Sequence, residues 1–369
     1  MKRITLAAYL RNNLGDDLMV HLLLKRYPNY EFYFDRDQTG CDLFRKYHNF
    51  YTRKEVNERL RGFNRLVNIL LCGWKKNYLI NKTCQLKAKY SCCSVYIGGS
   101  LFMQSPQLTG RRGVEIITEK MPALPRFVIG ANFGPYHTDD YRDAHEMFFK
   151  ECAGVCFRDQ RSHELFKQLA SVSHAPDVVF NLDTSTYNNQ PTNDTVVISV
   201  INMRSREAIA NDADSYEEFI CNTCKYWIQN GKVPILMSFC AYEGDEDGIQ
   251  QILMRFEPEI LGKIRVYYYS GNVEEALSVF SKAEYVVATR FHAMILALRF
   301  GKPFFAVSYN QKVKQVLNDI GCNAYCELHD LNALQVDTVF KQYSKAFDVN
   351  DYIRDAEKQF AYLDSYLKQ

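Results

Sequence analysis

No apolar run in this sequence approaches the roughly 18–20 residues of a membrane-spanning helix. Glycine (18) and proline (10) are too sparse in 369 residues for a collagen-like or low-complexity chain, and a 47% hydrophobic content excludes a disordered one. Charge of one sign is also missing. A formal net charge of +2 gives no bulk argument for a nucleic-acid or membrane partner. There is no phosphate-binding P-loop. Twelve cysteines in so long a chain do not make a disulfide scaffold. Cys221-Asn-Thr-Cys224 has metal-like or redox-like spacing, but no second Cys pair or Cys/His partner stands at zinc-site distance. The pair falls inside a helical pattern and reads as buried structural thiols. The positively charged opening leads into an apolar run that stops at Arg11 without a small-residue cleavage site, so a first strand and a cytoplasmic protein are expected.

What is present is an alternation of strand and helix patterns. In the second half, strands are expected over Thr195–Ile201, Val233–Phe239, Arg265–Tyr269, Tyr285–Thr289 and Phe304–Ser308. Helices are expected between them over Tyr216–Gln229, Asp247–Phe256, Val273–Lys282 and Phe291–Phe300. Continuous Val/Ile/Phe runs separated by amphipathic helices indicate a parallel sheet covered on both faces. The first half repeats this less regularly, with strands expected over Ile4–Leu10, Tyr30–Phe34, Val95–Ile97, Phe127–Ala131 and Val155–Phe157. The polar stretch Asp183–Asp194 reads as a linker. The expected fold is α/β: two Rossmann-like, doubly wound domains in a GT-B-like arrangement with a cleft between them. The first spans residues 1–185 and carries a basic insertion near 43–90; the second spans 195–345. A final helix within 346–369, patterned over Asp351–Leu367, is expected to cross back onto the first domain.

In an open α/β sheet, ligands collect at the carboxyl edge of the strands. Arg290 and His292 stand there, between a buried strand and a helix start whose free N–H groups favour an anion. A cation and a titratable imidazole two residues apart suit binding and protonating an anionic substrate. Tyr309 and Lys312 follow the next strand at the same edge. Asn13-Leu-Gly-Asp-Asp17 follows the first strand; Gly15 permits a tight turn, and Asp16 either caps the helix or, with Asn13, holds a sugar hydroxyl. Asp16 and Asp17, neighbours on a helix, point about 100° apart and do not form one divalent site, so no metal is expected. Ile97-Gly-Gly-Ser-Leu-Phe102 and Gly130-Ala-Asn-Phe-Gly-Pro135 run from strands into small residues that let a ligand or another backbone approach. Arg158 ends a further strand, suited to a surface ion pair or to a ligand. Asp177, in Ala175-Pro-Asp-Val178, either orients a basic group or caps a turn.

The ordered set resembles the polysaccharide pyruvyl transferase family. The resemblance rests on Asn13 to Asp16, Gly98-Gly99-Ser100, Arg158-Asp159-Gln-Arg-Ser162 and Pro176-Asp177, then Arg290-Phe-His292-Ala293, Gly301-Lys-Pro303 and Tyr309-Asn-Gln-Lys312. Ser100 departs from the family's glycine, and the basic insertion is not part of the pattern. The resemblance implies transfer of a pyruvyl group from phosphoenolpyruvate to two hydroxyls of one sugar, as a cyclic ketal with release of phosphate. The acceptor would be a cell-surface polysaccharide or its lipid-linked precursor. It assigns donor binding to Arg158, Arg290 and Lys312, with the two arginines gripping the donor across the cleft. His292 is assigned as general acid, a nearby dianion favouring the protonated imidazole near neutrality. Asn13, Gly15, Asp16, Gly98, Gly99, Ser100, Asp177 and Tyr309 would line the cleft or hold the acceptor. No cofactor is required beyond phosphoenolpyruvate as co-substrate. Two alternatives share these residues: a GT-B glycosyltransferase using a nucleotide sugar, and a carbohydrate-binding or assembly protein without catalysis.

The segment Leu43–Tyr90 holds twelve basic residues against Glu55 and Glu58, around the apolar stretch Leu66–Leu71 and Trp74. It reads either as a helix lying on an anionic membrane at the inner face, or as an insertion helix packed on its own domain with solvated lysines. No recognised nucleic-acid motif accompanies it.

Overall fold

The computed structural model describes residues 2–36, 39–70, 77–187 and 194–369. Its backbone contacts divide into two compact units. The first comprises Met1–Leu10, Met19–Val178 and Asp355–Gln369; the second comprises Arg11–Leu18 and Val179–Arg354.

The first unit is built on a seven-stranded parallel sheet of β1 (Lys2–Ala7), β2 (Tyr30–Phe34), β3 (Phe50–Thr52), β4 (Cys93–Ile97), β5 (Arg126–Ala131), β6 (Gly154–Phe157) and β7 (Val172–His174). Their order is β3-β2-β1-β4-β5-β6-β7. Strand order reverses between β1 and β4, where Ile4 pairs with Cys93 and Leu6 with Val95. Both sheet faces are covered, so the strands are near-continuous apolar runs; β4 is buried throughout. Phe102, Phe133, Phe149, Phe157 and Phe166 pack as a buried aromatic cluster, with Phe133 and Phe166 edge to face at 4.9 Å.

The second unit carries a six-stranded parallel sheet of β8 (Thr195–Ser199), β9 (Val233–Met237), β10 (Arg265–Tyr267), β11 (Tyr285–Ala288), β12 (Phe304–Ser308) and β13 (Tyr325–Glu327). The order is β10-β9-β8-β11-β12-β13, with the reversal between β8 and β11. The Ala213–Gln229 helix lays Tyr216, Phe219, Ile220 and Trp227 on this sheet, against Tyr285, Phe305 and Phe340. Cys221 and Cys224 sit on this helix as buried free thiols, and burial lifts the Cys221 thiol to about 11.

Several elements differ from the sequence expectation. The terminal segment is not one helix: Asn350–Ala356 and Ala361–Leu367 are α-helical, with a 3-10 turn at Glu357–Phe360 between them. Gln359 supplies the reason. Its buried amide accepts from Gly130 N at 2.8 Å and donates to Ala175 O at 2.8 Å and Pro176 O at 3.0 Å, which holds the turn against the end of β5 and the loop after β7. Beyond it, Asp364 accepts from Arg26 at 2.7 Å and from the Tyr27 hydroxyl at 2.7 Å. The basic insertion folds as a pair of helices, Arg53–Leu70 and Tyr78–Lys89. Val56, Ile80, Cys84 and Ala88 pack there with Tyr33 of β2 in a small core of their own. Residues 71–76, including Trp74, and residues 188–193 of the expected linker lie outside the described residues. Among the described residues no helix is long and apolar enough to cross a membrane.

Candidate functional site

Several of the residues singled out in the sequence meet in two clusters, one in each unit. In the first unit, neighbouring strands β4, β5 and β6 deliver three loops to one edge of the sheet. Arg158 follows β6, and its backbone N–H donates to Ala131 O at 3.0 Å, so the side chain starts beside the end of β5. Its guanidinium donates to Asp177 Oδ2 at 2.8 Å and to Asn132 Oδ1 at 2.9 Å. Both members of the Arg158–Asp177 pair are buried. The same guanidinium lies flat against Gly99, where a Cβ would stand 2.4 Å from Nη2. Gly99 is therefore small because an arginine occupies the place of its side chain. Gly98 is buried as well, whereas Ser100, the departure from the family pattern, is exposed. Asp177 therefore has a basic group to orient, the Arg158 guanidinium. Asp159 caps the following helix, accepting from Ser162 N at 2.9 Å, and Ser162 Oγ accepts from Phe133 N at 2.7 Å.

In the second unit, β11 ends at Ala288 and Arg290 is the cap residue of the Phe291–Arg299 helix. Ser199 at the end of β8 fixes this turn, its hydroxyl accepting from Thr289 N at 2.8 Å and Arg290 N at 3.1 Å. The Arg290 guanidinium makes a forked pair with Asp245 through Nε and Nη2, and donates from Nη1 to Glu243. Asp245 is fully buried and also accepts from Phe239 N at 2.9 Å and Cys240 N at 3.0 Å. Glu243 additionally accepts from Arg206 at 2.8 Å and from Asn13 Nδ2 at 3.3 Å. The two arginines hold the Glu243 carboxyl at about 2, below its ordinary range, against the opposing pull of burial.

Asn13 ties the Arg11–Leu18 segment into this network. Its side-chain oxygen accepts from Gly15 N at 3.1 Å and its carbonyl from Asp17 N at 2.8 Å, so Asn13 caps the helix that begins there. Leu14 N donates to Phe239 O at 3.0 Å. Gly15 meets the imidazole of His292: a Cβ at position 15 would stand 1.8 Å from Nδ1. The first and the fifth of the quoted motifs, some 280 residues apart in sequence, are thus in direct contact through a ring and a bare backbone. Asp17 is buried and accepts from the Tyr269 hydroxyl at 2.8 Å, while its Oδ1 has no hydrogen-bond partner. Burial, only partly offset by the Tyr269 bond, pushes its carboxyl well above the ordinary range.

Tyr309 follows β12, and the Arg206 guanidinium lies 5.7 Å from its ring centroid. With Ser308, Asn310, Lys314, Glu327 and His329 it lines a polar cavity of about 140 Å³ at the ends of β12 and β13. Lys312 lies in the Gln311–Asp319 helix, and its side chain is outside the described residues. Six residues that the sequence did not single out complete the clusters: Asn132, Gln359, Arg206, Glu243, Asp245 and Tyr269. Glu243-Gly-Asp245 carried one signal, a pair of carboxylates opening a helix just after a strand.

The family described as Polysaccharide pyruvyl transferase matches over residues 13–311. The chain belongs to that family. As a polysaccharide pyruvyl transferase family member it is an enzyme of the transferase class. Its fold is Rossmann-like in both units and GT-B-like, as in several solved structures of very different sequence. UDP-GlcNAc 2-epimerase from Neisseria meningitidis bound to UDP-GlcNAc superposes with a TM-score of 0.59 at 10% identity, over 100% of both chains. UDP-GlcNAc 2-epimerase from Methanocaldococcus jannaschii gives 0.56 at 9% identity, over 99% of this chain and 100% of that one. The S. aureus MnaA–UDP co-structure gives 0.55 at 11%, over 100% and 98%. At such identities the likeness is one of fold. Within the family match, Arg158 and Asp177 of the quoted motifs meet in one cluster, and Asn13, Gly15, Arg290 and His292 meet in the other.

Proposed function

We propose that the protein transfers the pyruvyl group of phosphoenolpyruvate to two hydroxyls of one sugar in a cytoplasmic reaction. The sugar belongs to a cell-surface polysaccharide or its lipid-linked precursor. The reading is supported above all by the contact between Gly15 and His292, a titratable imidazole in the first turn of a helix whose cap residue is Arg290. His292 donates a proton to the methylene carbon of the donor. Positive charge then develops at the adjoining carbon, and the first sugar hydroxyl adds there. The proton of that hydroxyl restores His292, the C–O bond to phosphate breaks, phosphate leaves with its electron pair, and the second hydroxyl closes the ketal as its proton goes to the departing phosphate. One donor and two hydroxyls give one ketal and one phosphate, without oxidation or reduction.

Donor binding is assigned to Arg158, Arg290 and Lys312, because carboxylate and phosphate both match the guanidinium fork. Arg290 has already given three hydrogen bonds to Asp245 and Glu243. The set Arg206, Arg290, Glu243 and Asp245 is formally neutral, so a dianionic donor needs the further charge of a protonated His292 and of Lys312. Arg290 serves as a rigid donor of its remaining N–H groups. Asn13, Asp16, Ser100 and Tyr309 offer hydroxyl-binding groups to the acceptor, and Gly15, Gly98, Gly99 and Asp177 keep the clusters in place.

A second reading, transfer from a nucleotide sugar, is favoured by the ligands named for the structural relatives, UDP-GlcNAc and UDP. One experiment separates the two. The protein is incubated with phosphoenolpyruvate or with UDP-sugars, each with a panel of lipid-linked oligosaccharides, and products are read by mass and phosphate release. A pyruvylidene mass gain with stoichiometric phosphate supports the first reading; a glycosyl mass gain with UDP release replaces it with the second.

A further inference from the structure

The helical pair in the first unit has an outer face that none of the chemistry above uses. The Arg53–Leu70 helix turns Val56, Leu60 and Asn64 inward, toward the Tyr78–Lys89 helix and Tyr33. Its other side presents Phe63, Leu66 and Ile69, which are 68%, 60% and 65% exposed. At about 100° per residue, these three form one strip winding along the outer flank. Gly62 lies within the strip, and a Cβ there would meet nothing within 4 Å. Arg59 falls inside the same arc, while Arg65 and Arg61 lie roughly 40° and 80° beyond it; all three are exposed. The neighbouring helix adds exposed Lys82 and Lys89 with Leu86 and Tyr90. The two acidic groups of the segment are engaged locally: Glu55 accepts from Thr52 N at 2.7 Å and Glu58 from Arg45 at 3.0 Å.

We infer that this strip is a docking surface for an anionic lipid bilayer. Phe63, Leu66 and Ile69 enter the boundary between headgroups and acyl chains, while Arg59, Arg61 and Arg65 remain at the lipid phosphates. Leaving out Lys75 and Lys76, the stretch from Leu43 to Tyr90 still carries ten basic residues against two acidic ones, and this excess of eight positive charges supplies the longer-range attraction. Other occupants fit less well. A stable protein partner buries on the order of 800 Å² per side and avoids bare cations at the core of the contact, whereas this strip is three side chains wide with an arginine inside it. Nucleic acid would use the arginines and leave the apolar strip in water. The surface serves either donor, and it would bring the enzyme to an acceptor carried on lipid. It rests on none of residues 71–76.

The test is cosedimentation of the full chain with phosphatidylcholine vesicles, alone or with phosphatidylglycerol, at low and high salt. The wild type is expected to pellet only with the anionic vesicles, less so as salt rises. The variant Phe63→Ser/Leu66→Ser/Ile69→Ser should lower partitioning on the order of tenfold or more, and so should Arg59→Glu/Arg61→Glu/Arg65→Glu. Both should keep the wild-type melting temperature, because the replaced side chains face solvent. Wild-type protein remaining in the supernatant with anionic vesicles at low salt overturns the proposal. So does a serine variant that pellets like the wild type, or one whose oligomeric state changes without lipid, which would give the strip to a second copy of the chain.

Discussion

The imidazole of His292 stands where the side chain of residue 15 would be, with Nδ1 1.8 Å from the position of an added Cβ. A glycine-containing turn and a helix-start histidine therefore act as one device: the backbone at Gly15 is the seat of the ring. Asn13 fixes that seat from one side through Gly15 N, and joins it to Arg290 through Glu243.

Gly15→Ala should accordingly displace the ring. The new Cβ overlaps Nδ1, Cε1 and Cγ of the ring, so moving the ring aside should also lower stability by about 1–3 kcal/mol, the scale of overpacking. Turnover should fall by about 10²-fold, the scale of a reacting group misplaced by about 1 Å. His292→Asn leaves the seat intact and removes the proton donor, so turnover should fall roughly 10²–10⁴-fold while donor affinity persists. Steady-state rates with a donor-binding titration check both. Normal turnover in the alanine variant would mean that the ring position is not critical, and normal turnover in the asparagine variant would reduce His292 to a positioning residue.

Arg290 is as much a structural as a binding residue, and its replacement should show this first. Arg290→Ala orphans the fully buried Asp245, and breaking such a pair costs about 3–5 kcal/mol. Glu243 keeps Arg206 and suffers less. Arg290→Met combined with Asp245→Asn should recover a good part of the loss, since no uncompensated charge stays buried and the asparagine oxygen still accepts from Phe239 N and Cys240 N. Arg158→Ala should behave similarly toward Asp177. Urea denaturation of the single and double variants measures this. If the single Arg290 variant loses less than about 1 kcal/mol, the network is not what holds this edge of the sheet.

The sheet strands were readable because a parallel strand covered on both faces is an unbroken apolar run. Tyr30–Phe34, Phe304–Ser308 and the Val273–Lys282 helix lie within their expected bounds. Where strands were drawn too long, burial outlasts pairing: Val200 and Ile201 are as buried as β8, yet the strand ends at Ser199. The unforeseen strands, β3, β7 and β13, are three-residue edge strands, too short to establish a period. The site divides the same way. Arg158 and Arg290, with His292 just beyond, follow the ends of β6 and β11, so their edge of the sheet follows from the pattern; Gly15 lies in the Leu14–Arg26 helix, well past β1. The partners of the two arginines, Asp245 and Asn132, come from other loops, as Gln359 behind the Arg158 cluster comes from the far terminus, and no spacing connects them. The strip on the Arg53–Leu70 helix was blurred by an apolar pattern with two faces, one packed inward and one exposed.

Asp17 gives a prediction of opposite sign to the usual carboxylate. Its buried carboxyl has one oxygen bonded to Tyr269 and one without a partner, and burial holds its pKa well above the ordinary 3.8. A group whose folded-state pKa is raised contributes its stability below the unfolded pKa and loses it as pH climbs toward the folded one. From about pH 4 upward the unfolded chain releases this proton while the folded chain retains it, and the wild type is progressively disfavoured. Asp17→Asn is a near-isostere of the protonated form: its oxygen can accept from Tyr269, and it does not titrate. The variant should match the wild type near pH 4 and gain on it by up to about 1.4 kcal/mol per pH unit above that, levelling off once folded Asp17 ionises. Urea denaturation of both proteins at pH 4.5, 6 and 7.5, values chosen to span roughly the region where one proton is released, reads the gap directly. Parallel pH profiles would show that Asp17 is ionised in the fold at all three, with its charge met by something other than Tyr269.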